Sequence, residues 1–188
     1  MRDYDQFLDM QLAYTEIIKR YSTTLFDFGI RFCQDEEIVK DCIQQMFLDL
    51  WNKNFDVTQR DTLKSYLFKA LRNRVIREQA KWQKNSVLTA DYEFTLEFGI
   101  ESQIIAADAD LELAKKVKKL LNALPPRQRE IIYLRFYEGL EIPEISDVMG
   151  INRQSAHNLL QKAYDKIRGE WQLVVFFLGI CAEQRILN

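Results

Sequence analysis

IPEISDVMGINRQSAHNLLQKAYDKI, residues 142–167, is the stretch that decides the fold of this chain. Ile142, Ile145 and Val148 recur at the spacing that lines one face of a short helix. Gly150 follows, and glycine enters the left-handed conformation that ends a helix without steric cost. Asn152 carries a side-chain oxygen able to cap the next helix. In that helix Ala156, Leu159, Leu160, Ala163 and Ile167 form the inward stripe. Ile151 is placed to plug the gap between the two helices, and the small Ala156 lets them cross closely. A short helix, a glycine turn and a second amphipathic helix make the helix-turn-helix pattern.

The outer face of that second helix carries Gln154, His157, Asn158 and Gln161 at i, i+3, i+4 and i+7. Asn and Gln amides match adenine edges in the major groove, and His157 can donate to a base or a phosphate. Arg153 and Lys162 flank the face as phosphate contacts. The competing reading is an ordinary helical hairpin with solvated amides. Phasing, glycine and cap coincide here, and together they favour a DNA-reading helix.

Working back from this motif, 113–123 and 126–136 read as two more helices, the latter with Pro126 in its first turn, where a missing N–H costs nothing. The first half reads as four helices over 4–19, 23–33, 36–53 and 62–83. The clearest is 36–53, where Ile38, Val39, Cys42, Ile43, Met46, Phe47, Leu50 and Trp51 make a wide apolar face. Asp35 is its expected N-cap, and Glu36 and Glu37 suit the positive end of the helix dipole. With 6 Gly and 3 Pro in 188 residues, long uninterrupted helices are expected throughout. The fold class is therefore all-α: two small helical domains joined by a linker, the second holding the helix-turn-helix. The expected boundaries are 1–84, a linker over 85–112, 113–170, and an apolar extension over 171–188.

Charge is distributed in blocks. The whole chain has a net charge of −2, which argues weakly against nucleic acid. Yet 64–84 holds Lys64, Lys69, Arg72, Arg74, Arg77, Lys81 and Lys84 against Glu78 alone. Residues 88–114 hold seven acids and no base, and 115–135 is basic again. A basic–acidic–basic chain can bind DNA at two places and still be acidic overall. The aromatic Tyr92, Phe94 and Phe98 within the acidic segment are too apolar for an idle spacer, so this segment is expected to touch something.

Cys33, Cys42 and Cys181 have no CxxC spacing, and with His157 as the single histidine there is no zinc set. Reduced core cysteines are the expectation for Cys33 and Cys42. There is no Gly-rich phosphate loop and no nucleophile–base pair, so neither an enzyme nor a cofactor or small-molecule substrate is expected. The acidic MRDYDQFLDM start is unlike a signal peptide, which points to the cytoplasm. The apolar run in WQLVVFFLGICAEQRILN (171–188) is about half the length that a membrane span requires. It is expected to form an extra helix on the second domain, or to clamp the two domains or meet a regulator.

Taken together, three segments resemble one family. LPPRQREIIYLRFYEGLEIPEISDVMGINRQSAHNLLQKAYDKIR (124–168) resembles the C-terminal DNA-binding domain of extracytoplasmic-function sigma factors. DEEIVKDCIQQMFLDLWNK (35–53) resembles the polymerase-binding helix of that family, with Asp41, Gln44, Gln45, Phe47 and Trp51 at the motif positions. SYLFKALRNRVIRE (65–78) resembles its promoter-melting helix, with Tyr66, Ala70, Arg72 and Asn73 matching. The segments follow the order and spacing of the family.

The resemblance implies docking on core RNA polymerase through Asp41, Gln44, Gln45, Phe47, Asp49 and Trp51. It implies contact with the −10 element through Arg72, Asn73, Arg74, Arg77 and Lys81, with Asn73 reading an extruded base and the 54–61 connection forming part of the pocket. It implies contact with the −35 element through Arg127, Arg129, Arg153, Gln154, His157, Asn158, Gln161 and Lys162. It also implies control by an anti-sigma protein, often membrane-bound. Where the family often carries Lys and Arg, this chain has His157 and Leu159, and Tyr164 replaces another Arg, so its upstream-reading face is less basic. Two further readings stand beside it. One is a two-domain helix-turn-helix regulator with an N-terminal sensing or interaction domain; the other is a helical interaction protein.

Overall fold

A computed structural model describes residues 2–52, 60–82, 92–96 and 118–168, all of them helix, turn or irregular segment with no strand among the described residues. The connection at 53–59, the linker apart from 92–96, residues 113–117, Cys181 and the 171–188 tail lie outside them. The chain divides into two compact units, Met1–Tyr92 and Glu93–Asn188.

The first unit is built from α1 (Arg2–Gly29), α2 (Glu36–Asn52) and α3 (Arg60–Trp82), each packed on the other two. The sequence led to two helices where α1 is one. The physical reason lies in its hydroxyls: Thr15 donates to the Gln11 carbonyl at 2.9 Å, and Ser22 donates to that of Ile18. These residues bond back onto the helix backbone instead of breaking it. Tyr14, Ile17, Leu25 and Phe28 carry one buried stripe across the position where a break was expected. Asp35 caps α2 as expected, its Oδ1 accepting from the N–H groups of Glu37 and Ile38 at 3.0 and 3.3 Å. Gly29 lets α1 and α2 approach: a Cβ there would lie 2.6 Å from Cγ1 of the fully buried Val39.

Phe28, Phe68, Leu67, Leu71 and Val75 close the core of the first unit. Phe28 and Phe68 lie 4.7 Å apart, centroid to centroid. Cys33 and Cys42 are buried and reduced. Burial pushes the Cys42 thiol up to about 11, with Glu78 adding to the effect, so it is protonated at neutral pH.

In the second unit a helical turn over 118–122 leads to α4 (Pro126–Ile132), which continues as a π-helical turn, Tyr133–Tyr137. Two helices follow, α5 (Ile142–Met149) and α6 (Arg153–Ile167). The π turn was not legible in the sequence. It places Tyr133 and Tyr137 in a stack 4.9 Å apart and directs the Tyr133 hydroxyl to Oε1 of Glu138 at 2.8 Å in the interior.

The α5–α6 turn follows the sequence closely. Gly150 has φ of 63°, Ile151 N–H bonds the Ser146 carbonyl at 3.0 Å, and Gly150 N–H bonds that of Asp147 at 3.3 Å. These two bonds define a Schellman termination. Asn152 Oδ1 then accepts from the Ser155 N–H at 2.7 Å and starts α6. The N-cap of α5 is Glu141, an uncommon choice. It works through a capping box in which the Glu141 N–H donates to the Glu144 carboxylate at 2.7 Å.

Candidate nucleic-acid and polymerase interface

Ala156, Leu160 and Ala163 turn one side of α6 into the core of the second unit. Helical geometry then leaves Arg153, Gln154, His157, Asn158, Gln161 and Lys162 exposed together. Nε2 of Gln154 donates to Oδ1 of Asn158 at 3.0 Å, so the two amides are preordered side by side. Gln161 donates in the same way to Asp165 at 3.1 Å. Arg127 and Arg129, on α4, are half-buried, and their Nε atoms are buried with no hydrogen-bond partner among the described residues. Desolvation lowers the pKa of Arg129, with Glu93 acting in the opposite sense; an arginine nevertheless stays charged at any working pH.

The −10 set divides. Asn73, Arg77 and Lys81 are exposed along α3, and Arg74 is half-buried. Lys81 pairs with Glu78 at 2.7 Å, one turn away. Arg72 was expected on the outward face; it is instead turned inward and only 8% exposed. Its position, four residues after Phe68 and three before Val75, puts it on the core stripe. There its guanidinium lies 4.9 Å from the Tyr92 ring centroid and 6.0 Å from that of Phe32. Tyr92 therefore belongs to the body of the first unit, while Phe94, wholly buried against Tyr133 at 5.9 Å, belongs to the second. Within the acidic segment, Tyr92 and Phe94 make contacts as expected, while Phe98 lies outside the described residues.

The docking set also divides. Asp41, Gln44 and Gln45 are exposed on α2, Trp51 is half-buried with its ring edge-on to Tyr14 at 4.8 Å, and Phe47 is a core residue, 8% exposed. Asp49 is half-exposed and paired with Arg74 of α3.

Beside this face lies a feature that sequence reasoning missed. A groove of about 1010 Å³ runs between α1 and α2, lined by Leu12, Tyr14 and Ile18 on one wall and by Gln44, Phe47, Leu48 and Trp51 on the other. Leu12, Ile18 and Leu48 are exposed at 65%, 41% and 47%. Its α1 wall also carries Gln11, Thr15 and Ser22, and this mixture hides the stripe from an apolar-periodicity search.

Two family models match the chain: sigma-70 region 2 over residues 17–84 and sigma-70 region 4 over residues 114–167. The first covers α2 and α3, the second α4 to α6. The chain belongs to the extracytoplasmic-function sigma factors of the sigma-70 family. RNA polymerase sigma factor NccH of Alcaligenes xylosoxydans xylosoxydans is 25% identical over 163 residues, 84% of this chain and 86% of that one. Sigma factor SigV of Bacillus subtilis is 25% identical over 151 residues, 80% and 86% of the two chains. Among solved structures, CnrH in complex with the cytosolic domain of CnrY superposes with a TM-score of 0.51 at 21% identity, covering 86% of this chain and 89% of that one. At that identity the likeness speaks for the fold.

As a sigma factor the chain binds core RNA polymerase and directs promoter recognition, DNA melting and transcription initiation. That assignment makes the family model boundaries and the helix-turn-helix consistent with one another, and it displaces the reading of an N-terminal sensing domain. No helix among the described residues is long and apolar enough to cross a membrane.

Proposed function

We propose that this sigma factor docks on core polymerase through the outer face of α2 and the α1–α2 groove. Asp41, Gln44 and Gln45 supply the polar rim, and Leu12, Leu48 and Trp51 supply buried area. The observation that carries this reading is the exposure of Leu12 and Leu48 beside the polar docking residues, since a contiguous apolar patch with a polar rim is how partner surfaces are built. α3 lies against α2 and meets the −10 element. Asn73 reads an extruded base, while Arg74, Arg77 and Lys81 hold the backbone of the opened strand. Unstacking costs a few kcal/mol per step, and capture of the base and phosphate contacts offset it.

α6 lies in the major groove of the −35 element, with Gln154, His157, Asn158 and Gln161 towards the bases and Arg153 and Lys162 towards phosphate. Arg127 and Arg129 act from α4, and their partly buried guanidinium groups make them supports of this face. The chain performs no covalent chemistry, because synthesis belongs to the polymerase, and it works in the cytoplasm. An anti-sigma protein holds it inactive. The similar CnrH was solved with CnrY, and a sigma factor RpoE at 19% identity and a TM-score of 0.50 was solved with the anti-sigma factor NepR from Bartonella quintana.

The test is initiation from a candidate promoter by core polymerase, with and without the protein. Promoter-directed transcripts are expected with it alone. Failure to bind core polymerase in the same preparation would overturn the docking assignment.

A further inference from the structure

Both carboxylate oxygens of Asp49 are occupied. Oδ2 accepts from Nη2 of Arg74 on α3, and Oδ1 accepts from Nε2 of Gln45, one turn earlier on α2, at 3.3 Å. Lys40 with Glu36 and Glu37, and Lys81 with Glu78, are pairs within one helix. The Asp49–Arg74 pair instead joins the helix assigned to polymerase docking to the helix assigned to DNA. Its side chains are 41% and 27% exposed, so an incoming partner can reach both. Pairs of this exposure are weak and therefore easily exchanged.

We propose that Asp49 is an intramolecular counter-ion that withholds Arg74 from DNA phosphate in the free sigma factor. A cationic group of the polymerase, arriving on the Gln44–Gln45 face, takes over the Asp49 carboxylate and releases Arg74 to the promoter. The proposal rests on the docking and −10 assignments given above. Its chemistry is an exchange of partners. Before docking, one carboxylate neutralises one guanidinium; afterwards, the polymerase cation neutralises the carboxylate and DNA phosphate neutralises the guanidinium. Linkage makes the effect reciprocal: whatever factor docking adds to DNA affinity, DNA adds to docking. This device gives a sigma factor low affinity for DNA until the polymerase carries it.

The test measures binding of the full chain to a short fluorescent single-stranded DNA of mixed sequence, by anisotropy at low salt. Asp49→Asn is expected to raise affinity about three- to five-fold in the free protein, the range open to a part-exposed ion pair. The gain should shrink towards none in an Arg74→Gln background, and also when the protein is already bound to core polymerase. Thermal melting of each variant, and the Arg74→Gln variant approached from the other side of the pair, separate release from loss of folding. No gain in the free protein, or a gain that persists in the Arg74→Gln background, overturns the proposal and leaves Asp49 a staple between helices. If Arg74→Gln has no effect on DNA binding by the polymerase-bound protein, the −10 assignment fails, and the proposal fails with it.

Discussion

The outward face of α3 holds Asn73, Arg74, Arg77 and Lys81, one amide among cations, whereas the outward face of α6 holds three amides and a histidine between Arg153 and Lys162. The two faces solve different problems. Cations grip phosphate without regard to sequence, and they suit a helix that must hold a strand while it opens. Amides carry donor and acceptor side by side and suit a helix that reads paired bases, though they contribute little long-range attraction. The difference extends beneath the faces. α3 belongs to a unit that leaves an apolar groove open between α1 and α2, while α6 packs, among the described residues, on a core that buries Tyr133, Leu134, Ile145 and Val148. On the proposed assignment, the unit with the charge also carries the polymerase grip, and the unit with the amides depends on being delivered.

The largest effect should come from placing a charge in the groove. Leu48→Glu adds a carboxylate at a site 47% exposed in the free protein, so folding should survive. On docking it must be desolvated, and truncation or charging of such anchors costs about 2–4 kcal/mol. A pull-down titration with core polymerase should show a loss of about thirty-fold to several hundredfold. Unchanged affinity would mean that the first unit docks elsewhere and that the contrast between the two units is misdrawn. Next comes Asn73→Ala. Loss of base capture on this otherwise cationic face should slow open-complex formation by about 1–3 kcal/mol, with polymerase binding intact. Permanganate footprinting of the −10 region reports it, and a loss of polymerase binding would show that α3 is misplaced.

The close crossing in the first unit gives a third measurement. Gly29→Ala drives a methyl against Val39, a buried and stiff β-branched side chain. Overpacking of this kind costs about 1–3 kcal/mol, a drop of several degrees in melting temperature. A melting curve that does not move would show that α1 and α2 have slack at this crossing.

How much of this was visible in the chain differs by region for the same reason that the faces differ. The α5–α6 turn was legible to the residue because each of its devices is local: Gly150 and Asn152 act within a few positions, and the inward stripe repeats cleanly. The α2 cap at Asp35 was legible for the same cause. What escaped is non-local. The inward turn of Arg72 depends on Phe32 and Tyr92, one on each side of it and far away in sequence. Basic composition alone placed it on the outside. The groove escaped because its α1 wall interleaves Gln11, Thr15 and Ser22 with Leu12 and Ile18, and exposure there is set by what α2 leaves uncovered. The π turn escaped because nothing in YLRFY distinguishes a five-residue from a four-residue closure. The three segments that resemble sigma factors were legible because motif residues sit at fixed spacing on helices, yet two of those residues, Arg72 and Phe47, face the core.

The amides of α6 allow a finer test of the contrast. Gln154→Ala and Asn158→Ala should each weaken upstream-element recognition by about 1–2 kcal/mol, within the range of a good bidentate contact. Because Gln154 bonds Asn158, the double variant should lose less than the sum of the two, since each single change already frees the other amide. Strict additivity in a double-mutant cycle would mean that the pair is not preordered.

The smallest effect separates charge from amide directly. Lys162→Gln and Arg153→Gln each remove one candidate phosphate contact, and each should lower the slope of log affinity against log salt by about 1 while leaving promoter preference unchanged. Arg77→Gln on α3 should do the same for opened DNA. The comparison then turns on what remains. With both flanking cations of α6 removed, the upstream interface retains His157 and three amides, and its residual salt dependence should be slight. With Arg77 removed, α3 still has Arg74 and Lys81, and its slope should stay steep. A steep residual slope at the upstream element would bring Arg127 and Arg129 forward as the true phosphate contacts. Their half-buried side chains would then have to turn outward on binding, at the cost of repacking α4.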